Sequence, residues 1–225
     1  KECRSCWTVE NKDTHSLVGT DASGLELRGL AHFMNDPKFT EEILNGDVHT
    51  ANQKMAGLET RDQAKTFIYA LMYGAGAAKI GSIVGGDAKT GERLISKFMG
   101  NMPKFSLLKN KLTEASESGI IRGLDGRLLH IRSAHASLNT LIQGSGAVIC
   151  KQWLVQMTDK IQESGVDARL VASVHDEYQF EVANSDTEKF GKITNEAIKE
   201  VEEIYNLKCP LDSEFKVGKN WSETH

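Results

Sequence analysis

Apolar and polar residues follow one another along the chain in patterns that predict a mixture of helices and short strands. Residues 17–20 form an apolar run that ends at Asp21, and leucines then recur at helical spacing over residues 25–33. A strand, a turn and a helix are therefore expected in that order. Two longer patterns without proline, residues 61–80 and 139–163, predict helices, and glycines mark the end of the first one.

Two β-rich runs lie close together in the last third of the sequence. Residues 170–174 and 178–182 are rich in valine and aromatic side chains, and only three residues, 175–177, separate them. This spacing predicts a tight hairpin with polar residues at its tip. A charged helix over residues 186–205 and an irregular tail are expected to follow.

Length and composition fit a globular protein of one large domain or two small ones. Of the 225 residues, 40% are hydrophobic and 26% are charged, which excludes a disordered chain. The formal net charge of −4 argues against nucleic-acid binding, since phosphate neutralisation needs a basic surface. The helical segments expected over residues 89–132, however, hold nine basic and four acidic residues. This local excess of positive charge keeps a nucleic-acid-binding function open.

The sequence indicates neither a membrane protein nor a secreted disulfide scaffold. No apolar run approaches the length of a transmembrane helix, and the first residues lack the features of a signal peptide. Among the four cysteines only Cys3 and Cys6 form a CxxC pair, and no second pair with zinc-ligand spacing follows. We therefore expect a cytoplasmic protein with reduced thiols, no membrane contact and no structural zinc.

Acidic side chains stand where the strands are predicted to end. Asp21 follows the first strand, and Asp176 and Glu177 lie at the hairpin tip. Carboxylates that converge repel one another and need cations, and their hard oxygens suit Mg²⁺. A pair of such ions can support phosphoryl transfer. Taken alone, each acid is explained more simply as a helix N-cap or a turn residue.

Four residues with chemically useful side chains share one face of the predicted helix at 61–80. Arg61, Lys65, Tyr69 and Tyr73 recur every four residues, so they form one stripe along the helix. Two cations followed by two aromatic rings would suit a nucleoside triphosphate, with the cations on the phosphates and the rings near the sugar and base. An amphipathic helix with a solvated basic edge explains the same spacing.

The order of three motifs favours a functional role both for the acidic residues and for the stripe from Arg61 to Tyr73. Together the three motifs resemble those of the family A DNA polymerases. DASGLELR at residues 21–28 resembles motif A, R-x3-K-x3-Y-x3-YG at residues 61–74 resembles motif B, and VHDE at residues 174–177 resembles motif C. The resemblance covers essentially the whole chain and is greatest to the replicative polymerases of short-tailed T-odd phages. Further matching segments are NGDVHT at 45–50, NTLIQ at 139–143, and the tail at 218–225.

The resemblance implies an α+β fold, mostly helical, in which a palm with an antiparallel sheet carries helical fingers. Residues 1–44 and 133–225 would form the palm and residues 45–132 the fingers, while the thumb and exonuclease domains would be absent. The chain would then be either an excerpt of a longer polymerase or one piece of a split polymerase that assembles with a thumb-containing or exonuclease-containing upstream piece. Its activity would be DNA-directed DNA polymerase activity in DNA replication, in the host cytoplasm if a phage encodes it.

Roles in catalysis carry over to matching positions. Asp21 and Asp176 would bind two Mg²⁺ ions, for which Mn²⁺ can substitute, with help from the backbone carbonyl of Ala22. Glu177 would be an auxiliary carboxylate, and Lys65 would protonate the pyrophosphate leaving group. Asp47 is interpreted only as a helix-start residue.

Roles in binding carry over in the same way. Glu26 is expected beside Tyr69, where it would exclude the 2′-hydroxyl of a ribonucleotide. The residues implied in binding the incoming deoxynucleoside triphosphate are Ala22, Glu26, His49, Arg61, Lys65, Tyr69 and Tyr73. Those implied in binding the primer–template DNA are Arg132, Asn139, Gln143 and His175.

The residues alone leave two other functions open. A single-subunit RNA polymerase shares the arrangement of catalytic acids and triphosphate-binding cations, but Glu26 and Glu177 favour the DNA enzyme. A non-catalytic remnant that only binds nucleic acid or supports assembly is disfavoured, because Asp21, Asp176 and Arg61 are retained together with Lys65.

Overall fold

The computed structural model describes residues 2–225, which form two compact units. We call residues 2–25 and 146–225 the sheet unit, and residues 26–145 the helical unit. The helical unit thus includes residues 26–44 and 133–145 in addition to the segment 45–132 that was expected to form the fingers. No helix in the described part of the chain is both long enough and apolar enough to cross a membrane.

Helices dominate the secondary structure, and all strands pair in antiparallel fashion. In chain order the elements are α1 (Glu2–Ser5), β1 (His15–Ala22), α2 (Leu25–Met34), α3 (Pro37–Leu44), α4 (Val48–Ala56), α5 (Arg61–Met72), α6 (Ala77–Ser82), α7 (Ala88–Asn101), α8 (Pro103–Ser116), β2 (Ile120–Arg122), β3 (Leu128–His130), a 3-10 turn (Ala134–Ala136), α9 (Ser137–Ser164), β4 (Ala168–Val174), β5 (Glu177–Ala183), α10 (Thr187–Ile204), β6 (Ser213–Gly218) and α11 (Trp221–Thr224).

The sheet unit is built on four strands in the order β4-β5-β1-β6. Buried Leu17 and Val18 place β1 in the interior of the sheet. Asp21 pairs with Glu177 on β5 and with Glu214 on β6. Because directly paired residues in a sheet project to the same face, the register places these three acidic side chains side by side across three strands.

The long helix α9 is fixed to the rest of the sheet unit by Trp153. This side chain is fully buried, and its Nε1 donates a hydrogen bond of 2.8 Å to the carbonyl oxygen of Thr194 on α10. Its ring makes an edge contact with Tyr178 on β5, at 5.4 Å between centroids. The Tyr178 hydroxyl in turn donates to the carbonyl oxygen of Cys150 on α9 at 2.8 Å. A single aromatic pair therefore joins α9, α10 and the sheet.

Three predictions about local structure were wrong, each for an identifiable reason. The helix expected at 61–80 ends at Met72, because Gly74 takes a φ of 78° and begins a new turn. The tail expected to be irregular contains β6, which depends on pairing with distant β1, and the short helix α11. Part of the basic segment 89–132 is a short hairpin, residues 120–130, and not a helix.

Candidate active site

The tip of the β4–β5 hairpin is joined to the end of β1 through the backbone. Two residues, His175 and Asp176, connect the strands, and His175 takes a φ of 56°. The backbone N–H of Ala22 donates a hydrogen bond of 3.0 Å to the carbonyl oxygen of Asp176. Asp21, one residue before Ala22, is thereby held beside the hairpin tip. The prediction that strand ends bring these acids together is consistent with this geometry.

The charge on Asp21 is disfavoured by its surroundings. Burial raises the pKa of this carboxyl, and the neighbouring charges of Asp176 and Glu177 raise it further, to about 6. Glu214 adds to the effect, while His225 opposes it. The acids therefore lie within electrostatic reach of one another on one face of the sheet.

Glu177 is fixed by a buried hydrogen-bond network. Its side chain is only 4% exposed. Oε1 accepts hydrogen bonds of 2.5 Å from Gln179 Nε2 and from Trp221 Nε1, and His225 Nδ1 lies 2.5 Å from Oε2. Gln179 Oε1 accepts in turn from the Thr224 hydroxyl at 2.7 Å. Glu177 thus orders the start of α11 against the sheet, instead of projecting freely beside Asp21.

Gly19 makes room for this network. It lies between Gln179 and Lys216 in the sheet register. A Cβ atom at this position would overlap Gln179 Nε2 and would lie 2.5 Å from the carbonyl oxygen of Thr224. Sequence reasoning missed Gln179 and Thr224. The two-residue spacing of Glu177 and Gln179 along β5 was the available signal, since it places both side chains on one face.

A cavity of about 430 Å³ opens beside these residues within the sheet unit. Asp21 and Glu177 line it together with Glu214 and Lys216 of β6, which sequence reasoning also missed. Lys216 adds a cation to these three carboxylates, and glycines, hydroxyl side chains and His225 complete the lining. The cavity therefore carries charges of both signs and could admit a hydrated ion or a phosphate-bearing ligand.

The acids of the sheet unit fit a hard divalent cation, although they do not form a closed metal cage. Within residues 2–225 no group of three or more His, Cys, Asp or Glu side chains could by itself hold a metal ion. Mg²⁺ usually takes one or two carboxylates and completes its coordination with water and substrate phosphates. Asp21 and Asp176 meet this requirement, and a nearby cation would offset the burial and the neighbouring negative charges that raise the pKa of Asp21.

We expect Asp21→Asn to make the metal-free chain more stable than the wild type at pH 7. The pKa of Asp21 is raised to about 6 in the folded protein, whereas an unfolded aspartate titrates at about 3.9. The folded state therefore binds more protons between these values, so the stability contributed by Asp21 is present at low pH and is lost as the pH rises through 6.

Urea unfolding in the presence of EDTA tests this expectation. The midpoint of Asp21→Asn should exceed that of the wild type at pH 7, and the difference should vanish near pH 4. Asp159→Asn, on the exposed side of α9, is the matched control and should change neither midpoint. Equal midpoints for Asp21→Asn and the wild type at pH 7 would contradict the prediction.

In the helical unit, α5 presents the predicted cationic and aromatic stripe. Thr60 caps α5 in a reciprocal arrangement with Gln63, which fixes the start of the helix. Arg61 and Lys65 are exposed on its first two turns, and Tyr69 follows one turn later. Three of the four predicted stripe residues therefore lie on one helix, while Tyr73 terminates it.

His49 on α4 lies beside the cationic group that Arg61 and Lys65 form on α5. Burial lowers the pKa of His49, and the charges of Arg61 and Lys65 lower it further. The His49 ring also lies 6.3 Å from the ring of Tyr69, centroid to centroid. The three predicted triphosphate-binding side chains are thus gathered within the helical unit, as a cluster suited to an anion.

Glu26 is hydrogen-bonded to the end of the stripe. The Tyr73 hydroxyl donates to Glu26 Oε1 at 2.6 Å, and Gln143 Nε2 donates to the same oxygen. Burial and the Glu26 carboxylate raise the pKa of Tyr73 to about 12. Sequence reasoning expected Glu26 beside Tyr69 and did not foresee its hydrogen bond with Tyr73. Gln143, expected only as a DNA ligand, also holds Glu26 in place.

The other residues expected to bind DNA are divided between the units. Arg132 is exposed after β3, and Asn139 lies in the first turn of α9 with its buried Oδ1 unpaired. Both belong to the helical unit. His175 is exposed at the hairpin tip of the sheet unit. Arg132 and His175 are therefore accessible at the surface, whereas the unpaired oxygen of Asn139 is buried.

Comparison of sequences identifies relatives along almost the entire chain. Residues 1–223 match the model of DNA polymerase family A. The DNA-directed DNA polymerases of Enterobacteria phage T3 and Escherichia phage T7 are each 43% identical to the chain, over 92% of it and 33% of their own length. DNA polymerase I of Pseudomonas aeruginosa is 28% identical, over 94% of this chain and 25% of its own. The chain spans about a third of the length of the phage relatives.

Comparison of structures supports the predicted fold. The POL domain of Pol1 from M. smegmatis, solved in complex with DNA primer-template and dNTP, superposes with a TM-score of 0.87. The match covers 98% of this chain and 42% of that one, at 22% sequence identity. At this identity the likeness concerns the fold alone, and it confirms the expected α+β architecture with an antiparallel sheet.

Proposed function

Because the chain belongs to DNA polymerase family A, we propose that it supplies the palm and fingers of a DNA-directed DNA polymerase that acts in DNA replication. Residues 1–44 and 133–225 would form the palm, which includes the sheet unit, and residues 45–132 of the helical unit would form the fingers. The reaction would be template-directed addition of a deoxynucleotide to the 3′-hydroxyl of a primer. The family inferred from the three sequence motifs is confirmed by the match over residues 1–223.

The observation that carries this proposal is the position of Asp21 beside Asp176. The hydrogen bond from the Ala22 N–H to the Asp176 carbonyl oxygen fixes the end of β1 against the hairpin tip. Strand ends are rigid, so the two carboxylates are preorganised before any ligand binds. Such preorganisation is what phosphoryl transfer demands, because its catalysis consists mainly of positioning and charge stabilisation.

Asp21 and Asp176 would hold two Mg²⁺ ions, for which Mn²⁺ can substitute, with the backbone carbonyl of Ala22 as a further ligand. When bound, these ions would neutralise phosphate charge and make the primer hydroxyl a better nucleophile. Glu177 would be an auxiliary carboxylate and not a direct metal ligand, because its Oε1 already accepts hydrogen bonds from Gln179 and Trp221. Its role is then to keep the β5 end of the site in a fixed orientation.

The cationic group of the helical unit would bind the triphosphate. Arg61 and Lys65 are exposed and could pair with phosphate oxygens, and His49 adds a ring nitrogen to the same group. Lys65 would also donate a proton to the departing pyrophosphate. Tyr69 and Tyr73 would lie near the sugar and the base, and Glu26 would occupy the space that a ribose 2′-hydroxyl needs.

Primer–template DNA is the proposed macromolecular partner. Arg132, Asn139 and Gln143, together with His175, would contact it partly through the minor groove, whose acceptors are largely shared by all base pairs. An enzyme that copies any sequence can test base-pair shape there. The exposed cations Lys89 and Arg93 on α7 supply additional positive surface in the helical unit. A thumb-containing or exonuclease-containing upstream piece would complete the grip on the duplex.

Primer extension tests the proposal. The 225-residue chain is assayed alone and fused behind the upstream segment of the phage T7 polymerase, in place of the matching third of that enzyme. We expect the fusion to extend a primer in the presence of Mg²⁺ and all four deoxynucleotides. Asp176→Ala should reduce extension to background, while the matched control Asp159→Ala, which removes an exposed carboxylate of α9, should not.

The same assay separates the alternatives. If the folded fusion extends nothing, or if Asp176→Ala extends as well as the wild type, the catalytic assignment is wrong and a nucleic-acid-binding remnant is favoured. A strong preference for ribonucleotides would instead favour an RNA polymerase.

A further inference from the structure

Asp47 joins the two helices that carry the proposed triphosphate ligands. Its Oδ1 accepts hydrogen bonds from the backbone N–H groups of His49, at 3.1 Å, and Thr50, at 3.2 Å. Its Oδ2 accepts from the Thr50 hydroxyl at 2.8 Å and from Arg61 Nε at 2.7 Å. One carboxylate thus caps the start of α4 and also holds a side chain of α5.

The contact to Arg61 leaves part of the guanidinium available. A guanidinium offers several N–H donors in a planar fork, and only the Nε–H is hydrogen-bonded to Asp47. Among residues 2–225, Asp47 is the sole hydrogen-bond or ion-pair partner of the Arg61 side chain. Half of the Arg61 side chain is exposed. The ion pair therefore fixes the base of the fork and leaves donors free for an anion.

Asp47 lies within the cationic group and is its counter-charge. Arg61 and the Thr50 donors hold the pKa of Asp47 well below its usual range, so the carboxylate is charged at neutral pH. The charges acting on His49 are those of Arg61, Lys65 and Asp47 itself. Without the Asp47 carboxylate, the charges of Arg61 and Lys65 would repel each other without compensation. The Arg61 side chain would also lose its only ion pair.

We propose that Asp47 is a positioning residue for triphosphate binding, which holds Arg61 and the first turn of α4 in the arrangement that receives the phosphates. This inference rests on the proposed function of Arg61 and His49. Sequence reasoning assigned Asp47 to the start of a helix, and the structure shows that it is also linked to α5. Its effect on binding should pass through Arg61.

Asp36 provides a matched comparison within the same unit. It caps α3 as Asp47 caps α4, by accepting from the backbone N–H groups of Lys38 at 3.0 Å and Phe39 at 3.4 Å. It forms no ion pair in the described chain. Asparagine is as good an N-cap as aspartate. Substitution by asparagine at both positions therefore preserves the backbone caps. At Asp47 it also removes the charged oxygen that accepts from Arg61 Nε and the Thr50 hydroxyl, whereas at Asp36 no ion pair is lost.

The test measures the binding of inorganic tripolyphosphate to the 225-residue chain by calorimetry. The buffer contains EDTA, so that no metal-dependent step contributes. We expect Asp47→Asn to weaken binding about tenfold, the scale of one lost charged hydrogen bond. Asp36→Asn should leave binding unchanged. In an Arg61→Ala background, which itself weakens binding, Asp47→Asn should have no further effect. Asp47→Glu keeps the charge and should restore part of the affinity.

Each outcome has one meaning. Circular dichroism first establishes that every variant is folded, and Asp47→Ser, which also caps a helix but carries no charge, replaces Asp47→Asn if the latter is not folded. If the wild type and Arg61→Ala bind tripolyphosphate equally, the proposed function of Arg61 fails. If the wild type binds better than Arg61→Ala but Asp47→Asn binds as well as the wild type, or more tightly, the positioning role of Asp47 is wrong. Additive effects of Asp47→Asn and Arg61→Ala would also overturn it.

Discussion

Replacement of Gly91 by alanine is expected to destabilise the helical unit by about 3 kcal/mol or more, the upper end of the usual cost of overpacking. Gly91 lies where α7 crosses α6. A Cβ at this position would overlap the carbonyl oxygen of Ala77 and would lie 2.8 Å from the backbone nitrogen of Gly81. Both neighbours are backbone atoms, so no side chain can rotate away. The two helices would have to separate.

Gly100 on the same helix is the matched control. No heavy atom would lie within 4 Å of a Cβ at Gly100. Alanine there should stabilise α7 by up to about 1 kcal/mol, because it is a better helix former than glycine. Urea unfolding monitored by circular dichroism compares the two variants. If Gly91→Ala is as stable as Gly100→Ala, the close packing of α6 against α7 does not describe the protein in solution.

Replacement of Glu26 by alanine is expected to raise the use of ribonucleotides relative to deoxynucleotides on the order of a hundredfold, the scale at which a pocket rejects one added hydroxyl group. The physical reason is that Glu26 is held in place. Tyr73 donates to its Oε1 at 2.6 Å, and Gln143 donates to the same atom. A carboxylate fixed by two donors cannot swing aside for a 2′-hydroxyl, whereas alanine leaves that space open.

The measurement is the ratio of kcat/KM for ATP to that for dATP, in the fusion with the upstream polymerase segment. Tyr73→Phe removes one of the two donors and should raise the ratio by less than tenfold, in proportion to one neutral hydrogen bond. Glu59→Ala, an exposed carboxylate just before α5, is the control and should leave the ratio unchanged. An unchanged ratio in Glu26→Ala would remove Glu26 from sugar selection.

The sequence predicted the elements that are defined by local pattern. The helices at 25–33, 139–163 and 186–205 and the β4–β5 hairpin all appear with nearly the expected bounds. Each is a continuous segment without proline that is bounded by turn-forming or polar residues, such as Gly165 after α9. The strand β6 was missed because its burial alternates weakly and its pairing partner β1 lies almost 200 residues away in sequence.

The sequence predicted those parts of the candidate site that depend on a local pattern. One is the pair of strand ends that bring Asp21 towards Asp176. The other is the four-residue spacing that aligns Arg61 with Lys65. The network of Gln179 and Thr224 around Glu177 depends on the register of three strands and a terminal helix. No single segment contains this information. The residue roles assigned by resemblance stay predictions until the variants are measured.

The hydrogen bond between Ala22 and Asp176 has a consequence for how this site can change over time. It joins backbone N–H to backbone carbonyl, and therefore persists whichever side chains occupy the two positions. A substitution at Asp21 or Asp176 can remove a carboxylate without disturbing the backbone that holds both positions together. Restoring the original carboxylate then needs no rearrangement of the strands. A copy altered at one of these positions would for that reason remain one substitution from the original pair of acids.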